Sequence, residues 1–145
     1  MIRRFGSMIG VTLLEILLVL AIAAMIIVMS VRYYQGASAS AQVNAFLQQL
    51  QGIAAAADSL AIGSGSYSGT TQSNIVTFLG GSTAVFGLPW GGSISVSAGA
   101  STYTLTISPR PSAAVCAQII SKIQQNSRYS GYSTTCQTFR YSATS

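Results

Sequence analysis

The sequence predicts an α+β chain: a long N-terminal helix, its first half able to span a membrane, packed on a small antiparallel β-sheet head. Three observations predict it. Residues 16–29, ILLVLAIAAMIIVM, are apolar without a break. No proline occurs between Val11 and Leu60, so nothing there forces a helix to stop. Further on, two segments alternate apolar and hydroxyl side chains with the period of a half-buried strand.

Composition narrows the functions open to such a chain. Of 145 residues only 6% are charged, seven Lys+Arg against two Asp+Glu, and there is no His. An ordinary soluble protein carries about 25% charged residues. General acid–base catalysis needs a His or paired carboxylates. Glycoside hydrolysis needs two acids, and hard-cation sites need several oxygen ligands. The two acids here, Glu15 and Asp58, lie 43 residues apart. No catalytic residue, cofactor or metal site is expected.

Val11–Val31 holds 21 residues, of which only Thr12, Glu15 and Ser30 are polar. At 1.5 Å per residue such a helix is about 32 Å long, enough to cross a bilayer core. Arg3 and Arg4 precede it, and Arg32 and Tyr33-Tyr34 follow it. A basic start and an aromatic far end orient the N-terminus to the cytoplasm. A cleaved secretory signal ending at Ala37-Ser38-Ala39 is the first alternative, but the run is long for a signal core. Glu15 is the anomaly, because an ionisable group within a span is costly and marks a functional candidate. Against that stands the simple reading that Glu15, near the helix start, snorkels to the interface.

Gly10-Val11-Thr12-Leu13-Leu14-Glu15, followed by the apolar run, resembles the class III signal of type IV pilins and their relatives. The resemblance implies a leader over residues 1–10, cut after Gly10 by prepilin peptidase on the cytoplasmic face, with Val11 then N-methylated. It implies that Glu15 is the family's assembly glutamate. A carboxylate left unpaired in lipid destabilises the monomer, and pairing with the N-terminal amine of a neighbouring subunit's Val11 would relieve that cost. Many members of the family carry a proline in the first half of this helix, and this chain has none.

Residues 11–31 would thus form the transmembrane half of the helix and residues 32–60 an amphipathic half. Val43, Phe46, Leu47, Leu50, Ala54, Ala57 and Leu60 recur at three–four spacing, with Gln42, Asn44, Gln48, Gln49 and Gln51 opposite. That stripe is expected to face a core. Any interruption would fall near Gly36 or Gly52.

Residues 61–145 form the head, and 38 of these 85 are Ser, Thr or Gly. Residues 62–71 read as a loop. Ser93–Ala98 and Thr102–Ser108, joined by Gly99-Ala100-Ser101, predict an antiparallel hairpin with one buried face. Residues 74–79 fit either a strand or a short helix capped by Ser73, while Thr83–Phe86 and Thr138–Tyr141 are weaker strand candidates. Ser112 is placed to cap a helix over Ala113–Gln125. Cys116 and Cys136, in an exported chain, are expected to form a disulfide. A reactive thiol or a metal pair is the rival, and two sulfurs without His or acids make a poor metal site. Trp90 is expected to plug the sheet against the helix rather than to bind a ligand, given the area a Trp buries.

Leu88-Pro89-Trp90-Gly91-Gly92-Ser93 resembles the Pro-Trp-Gly-Gly strand start of type IVb pilins, and Ala114-Val115-Cys116-Ala117-Gln118 resembles the helix that opens their disulfide-bounded D-region. The resemblance implies the type IV pilin fold and a structural subunit, most like a type IVb major pilin. Its partners would be further copies in a helical filament, prepilin peptidase, the inner-membrane assembly machinery and, before assembly, the membrane itself. A type II secretion pseudopilin, or a minor initiating pilin, is the alternative. A binding role rests on Arg110, Lys122, Arg128 and Arg140, the only charged side chains after Leu60, which would attract DNA or anionic surfaces. Against it, they form no dense basic run and serve equally well for solubility.

Overall fold

The computed structural model of the protein describes residues 8–142, with side chains from residue 12 onward. Arg3, Arg4 and the first seven leader positions lie outside the described residues. Two compact units divide the chain, Met1–Ser38 and Ala39–Ser145. The elements run α1 (Met8–Ser64), α2 (Gln72–Phe78), β1 (Ser93–Ala98), β2 (Thr102–Ser108), α3 (Ala113–Ile123), β3 (Tyr129–Tyr132) and β4 (Thr138–Ser142). The fold is α+β, as the sequence predicts.

Helix α1 is unbroken at Gly36 and Gly52. It also runs to Ser64, four residues past the expected end, into the segment read as a loop. The Ser64 hydroxyl donates to the Leu60 carbonyl at 3.0 Å, which lets the last turn tolerate a residue that usually favours loops. In the first unit the apolar side chains of α1 are exposed, Leu14, Met25 and Met29 by about 70%. This is the one helix among the described residues long and apolar enough to cross a membrane.

The second unit is built on residues 39–64 of α1. Val43, Phe46, Leu50, Ile53 and Ala57 form its fully buried line, alternating steps of three and four. Ile53 and Ala56 belong to this core although the expected stripe passed over them; Leu47, Ala54 and Leu60 flank the line, half-buried. Against it lies a four-stranded antiparallel sheet in the order β1-β2-β4-β3. The hairpin has the predicted boundaries, with Ile94 opposite Ile107 and Val96 opposite Leu105. Strand β4 pairs with β2 through Leu105–Phe139 and Tyr103–Tyr141, which puts the last strand in the middle of the sheet. Phe46 packs on both Trp90 and Phe139, ring centroids 5.3 and 6.0 Å apart, and Trp90 Nε1 donates to the Pro109 carbonyl at 3.1 Å. The tryptophan therefore seals the sheet against the helix.

Three expectations are corrected, and one strand is new. Of the two forms open to residues 74–79 the helix is adopted, ending at Phe78 with Leu79 as its C-cap, but its N-cap is Thr71, whose Oγ1 accepts from the Asn74 amide, not Ser73. Thr83–Phe86 is not a strand: Ala84–Phe86 forms one 3-10 turn, between Gly81 at φ 83° and the Gly87 amide that closes it on Ala84 O. Helix α3 starts at the Ser112 cap as expected but stops at Ile123, two residues short of Gln125. Strand β3 was not foreseen. It is only four residues long, contains Gly131 and shifts register between Tyr129 and Gly131, so it shows no alternation.

Candidate functional site

The first candidate is Glu15. It lies four residues after Val11 on α1, which helical rise converts to about 6 Å along the axis, on the same face. Gly10 and Val11 are helical in backbone; their side chains lie outside the described residues. Glu15 is exposed and shares a shallow surface with Thr12, Ile16, Val19 and Leu20. Among the described residues it enters no ion pair. Apart from Thr12, the side chains that share this surface are apolar.

The second unit contains the other carboxylate side chain, and it is fully engaged. Asp58 sits on the last turns of α1 and receives three hydrogen bonds: Tyr67 Oη donates to Oδ1 at 2.5 Å, Arg128 Nη1 to Oδ2 at 3.0 Å and Tyr141 Oη to Oδ2 at 3.2 Å. The Arg128 guanidinium also lies over the Tyr141 ring, 4.9 Å from its centroid. One side chain thus ties α1 to the start of β3 and to β4, 70 and 83 residues on. Burial, the Asp58 hydrogen bond and the Asp58 charge push the Tyr67 hydroxyl well above the usual tyrosine range. Tyr141 is raised by burial and by Asp58, with Arg128 opposing. For Arg128, partial burial works against the charge but Tyr141 and Asp58 outweigh it, so its pKa rises. Tyr103 and Tyr129, packed on Tyr141 at 4.9 and 5.1 Å, are raised mainly by burial.

Cys116 on α3 and Cys136 are joined by the expected disulfide. No free cysteine occurs among the described residues. Cys136 takes a positive φ of 55°, unusual for a residue with a side chain, in the turn that the Cys136 amide closes on Ser133 O. The bond holds α3 to the loop leading into β4.

The four head cations do not form one surface. Arg128 is committed to Asp58. Lys122 stands at the end of α3 beside a 530 Å³ hollow that also meets Gln51, Asn126 and Asp58. Arg110 borders a separate hollow of 370 Å³ with Thr134 and Thr135. Arg140 is exposed on the outer face of β4. The Asp58 cluster is the feature sequence reasoning missed. The signal available was the isolation of Asp58 as the second unit's one acidic side chain, beside four cations and many tyrosines. No family model, curated protein or solved structure matches this chain.

Proposed function

We propose that the chain is a structural subunit of a type IVb pilus, made as a prepilin. In this reading it waits in the inner membrane as a single-pass protein with its N-terminus in the cytoplasm. Prepilin peptidase cuts after Gly10, Val11 is N-methylated, and the assembly machinery polymerises the subunit through α1 into an extracellular filament. Such a filament serves adhesion, aggregation, conjugation or motility.

The observation that carries the reading is Glu15: one carboxylate, one helical turn past Val11, in an exposed apolar helix that offers it no ion pair among the described residues. Cleavage creates a positive amine at Val11, and assembly brings that amine from another copy to Glu15. Pairing relieves a desolvation cost of several kcal/mol. The C-terminal disulfide and the hairpin beside Trp90 support a pilin head.

Mass spectrometry of the protein from its native host tests the reading. The expected species starts at Val11, carries one methyl group and is two hydrogens lighter for the Cys116–Cys136 bond. A start at Met1, or at a residue just after Ala39, would overturn it. A Glu15→Ala strain should process the protein normally and yield few filaments by electron microscopy.

A further inference from the structure

The outer face of the sheet has an unusual surface. Strand register aligns its side chains in rows: Ser95–Thr106–Thr138, Ser97–Thr104–Arg140–Gly131 and Thr102–Ser142, with Ser93–Ser108 at one end. All are hydroxyls except Arg140 and Gly131. Gly131 lacks a side chain directly beside Arg140, and a hollow of 360 Å³ opens there, lined by Thr104, Gly131, Tyr132, Ser133, Thr138 and Arg140. Arg140 enters no ion pair among the described residues. The chain has no carboxylate side chain to offer it: Asp58 is held by Arg128, and Glu15 lies on the apolar stretch.

We propose that this face binds an acidic polysaccharide, with Arg140 gripping a sugar carboxylate or sulfate in the hollow and the surrounding Ser and Thr hydroxyls exchanging hydrogen bonds with the sugar hydroxyls. The chemistry of the face selects this occupant. A guanidinium takes a carboxylate or sulfate in a two-pronged hydrogen bond. Duplex DNA requires several cations along a phosphate track, and here there is one. A protein partner or a lipid surface calls for exposed aromatic or aliphatic anchors, which these rows lack. The site is complete within one head, so the inference does not need polymerisation. In a filament the same weak contact would repeat and gain by avidity.

The test uses the full chain in detergent, unpolymerised, and measures binding to alginate oligomers, neutral dextran and duplex DNA at matched ionic strength. Alginate should bind best, and Arg140→Gln should weaken it roughly tenfold, the scale of one charge-assisted contact. Arg110→Gln, of equal charge and off the sheet, should leave it unchanged. Thr104→Val should weaken alginate by a smaller factor. An equal loss from Arg110→Gln, absence of alginate binding, or tighter binding of DNA with the same Arg140 dependence would overturn the proposal. Because Arg140 is exposed, unchanged near-ultraviolet circular dichroism is expected in the variant, and any filament defect can be scored separately.

Discussion

The apolar stretch of α1 and the second unit each hold one acidic side chain, and the surroundings treat the two in opposite ways. Asp58 receives donors from Tyr67, Arg128 and Tyr141, so its charge is spent inside its own fold. Glu15 is exposed among apolar side chains and has no ion pair among the described residues. A satisfied acid holds a structure together, while an acid without an internal partner is a demand on something outside. On the proposed function, the difference separates stability from assembly within one chain: changes around Asp58 should alter how firmly the head folds, and changes at Glu15 should alter what the chain joins.

The steepest expected effect comes from alkali. Tyr67, Tyr103, Tyr129 and Tyr141 are all raised above the ordinary tyrosine value of about 10, so the unfolded state releases their protons first. Stability is therefore full below about pH 10 and falls above it, by up to ~1.4 kcal/mol per pH unit for each tyrosine. Denaturation of the full chain in detergent from pH 8 to 12 checks this, and a flat profile would deny the cluster its role. Replacing both Cys116 and Cys136 by Ser should cost about 3 kcal/mol, from the entropy of a loop closed across 20 residues. Gly92→Ala should cost roughly 2–3 kcal/mol. Gly92 has φ 106°, and a Cβ there would run into Pro109 Cδ and the Ser108 carbonyl. Asp58→Asn should cost about 1–2 kcal/mol, since Arg128 and Asp58 remain partly exposed and solvent screens their attraction. The smallest effect on folding should be Glu15→Leu, within about 0.5 kcal/mol by urea denaturation at neutral pH, as for surface positions generally. If Glu15→Leu unfolded the head, the separation would fail.

Much of this was legible because it is periodic. The hairpin Ser93–Ser108 announces itself by strict alternation, and the buried line Val43–Ala57 by three–four spacing. Thr83–Phe86 misled because Thr, Val and Phe favour strands, yet the segment lies between glycines and closes as a turn. Tyr129–Tyr132 gave no signal, since β4 makes it a strand and its own pattern does not. Glu15 stood out because its neighbours in sequence are also its neighbours in space. Asp58 did not, because two of its donors arrive from 70 and 83 residues away. Arg140 likewise becomes interesting only once register sets Thr104 on one side and Gly131 on the other.

The irregular edges of the sheet have a further consequence. Each open edge strand is a template onto which another chain can add, and sheets with long, straight edges aggregate. Here β1 begins under a bridge from Gly87 and has α2 and the 3-10 turns Tyr67–Gly69 and Ala84–Phe86 for neighbours. At the opposite side β3 offers four residues with a kink in the middle. Neither edge presents a straight ladder for another strand to extend. Chains folded this way can be concentrated without being sewn strand by strand into one continuous sheet.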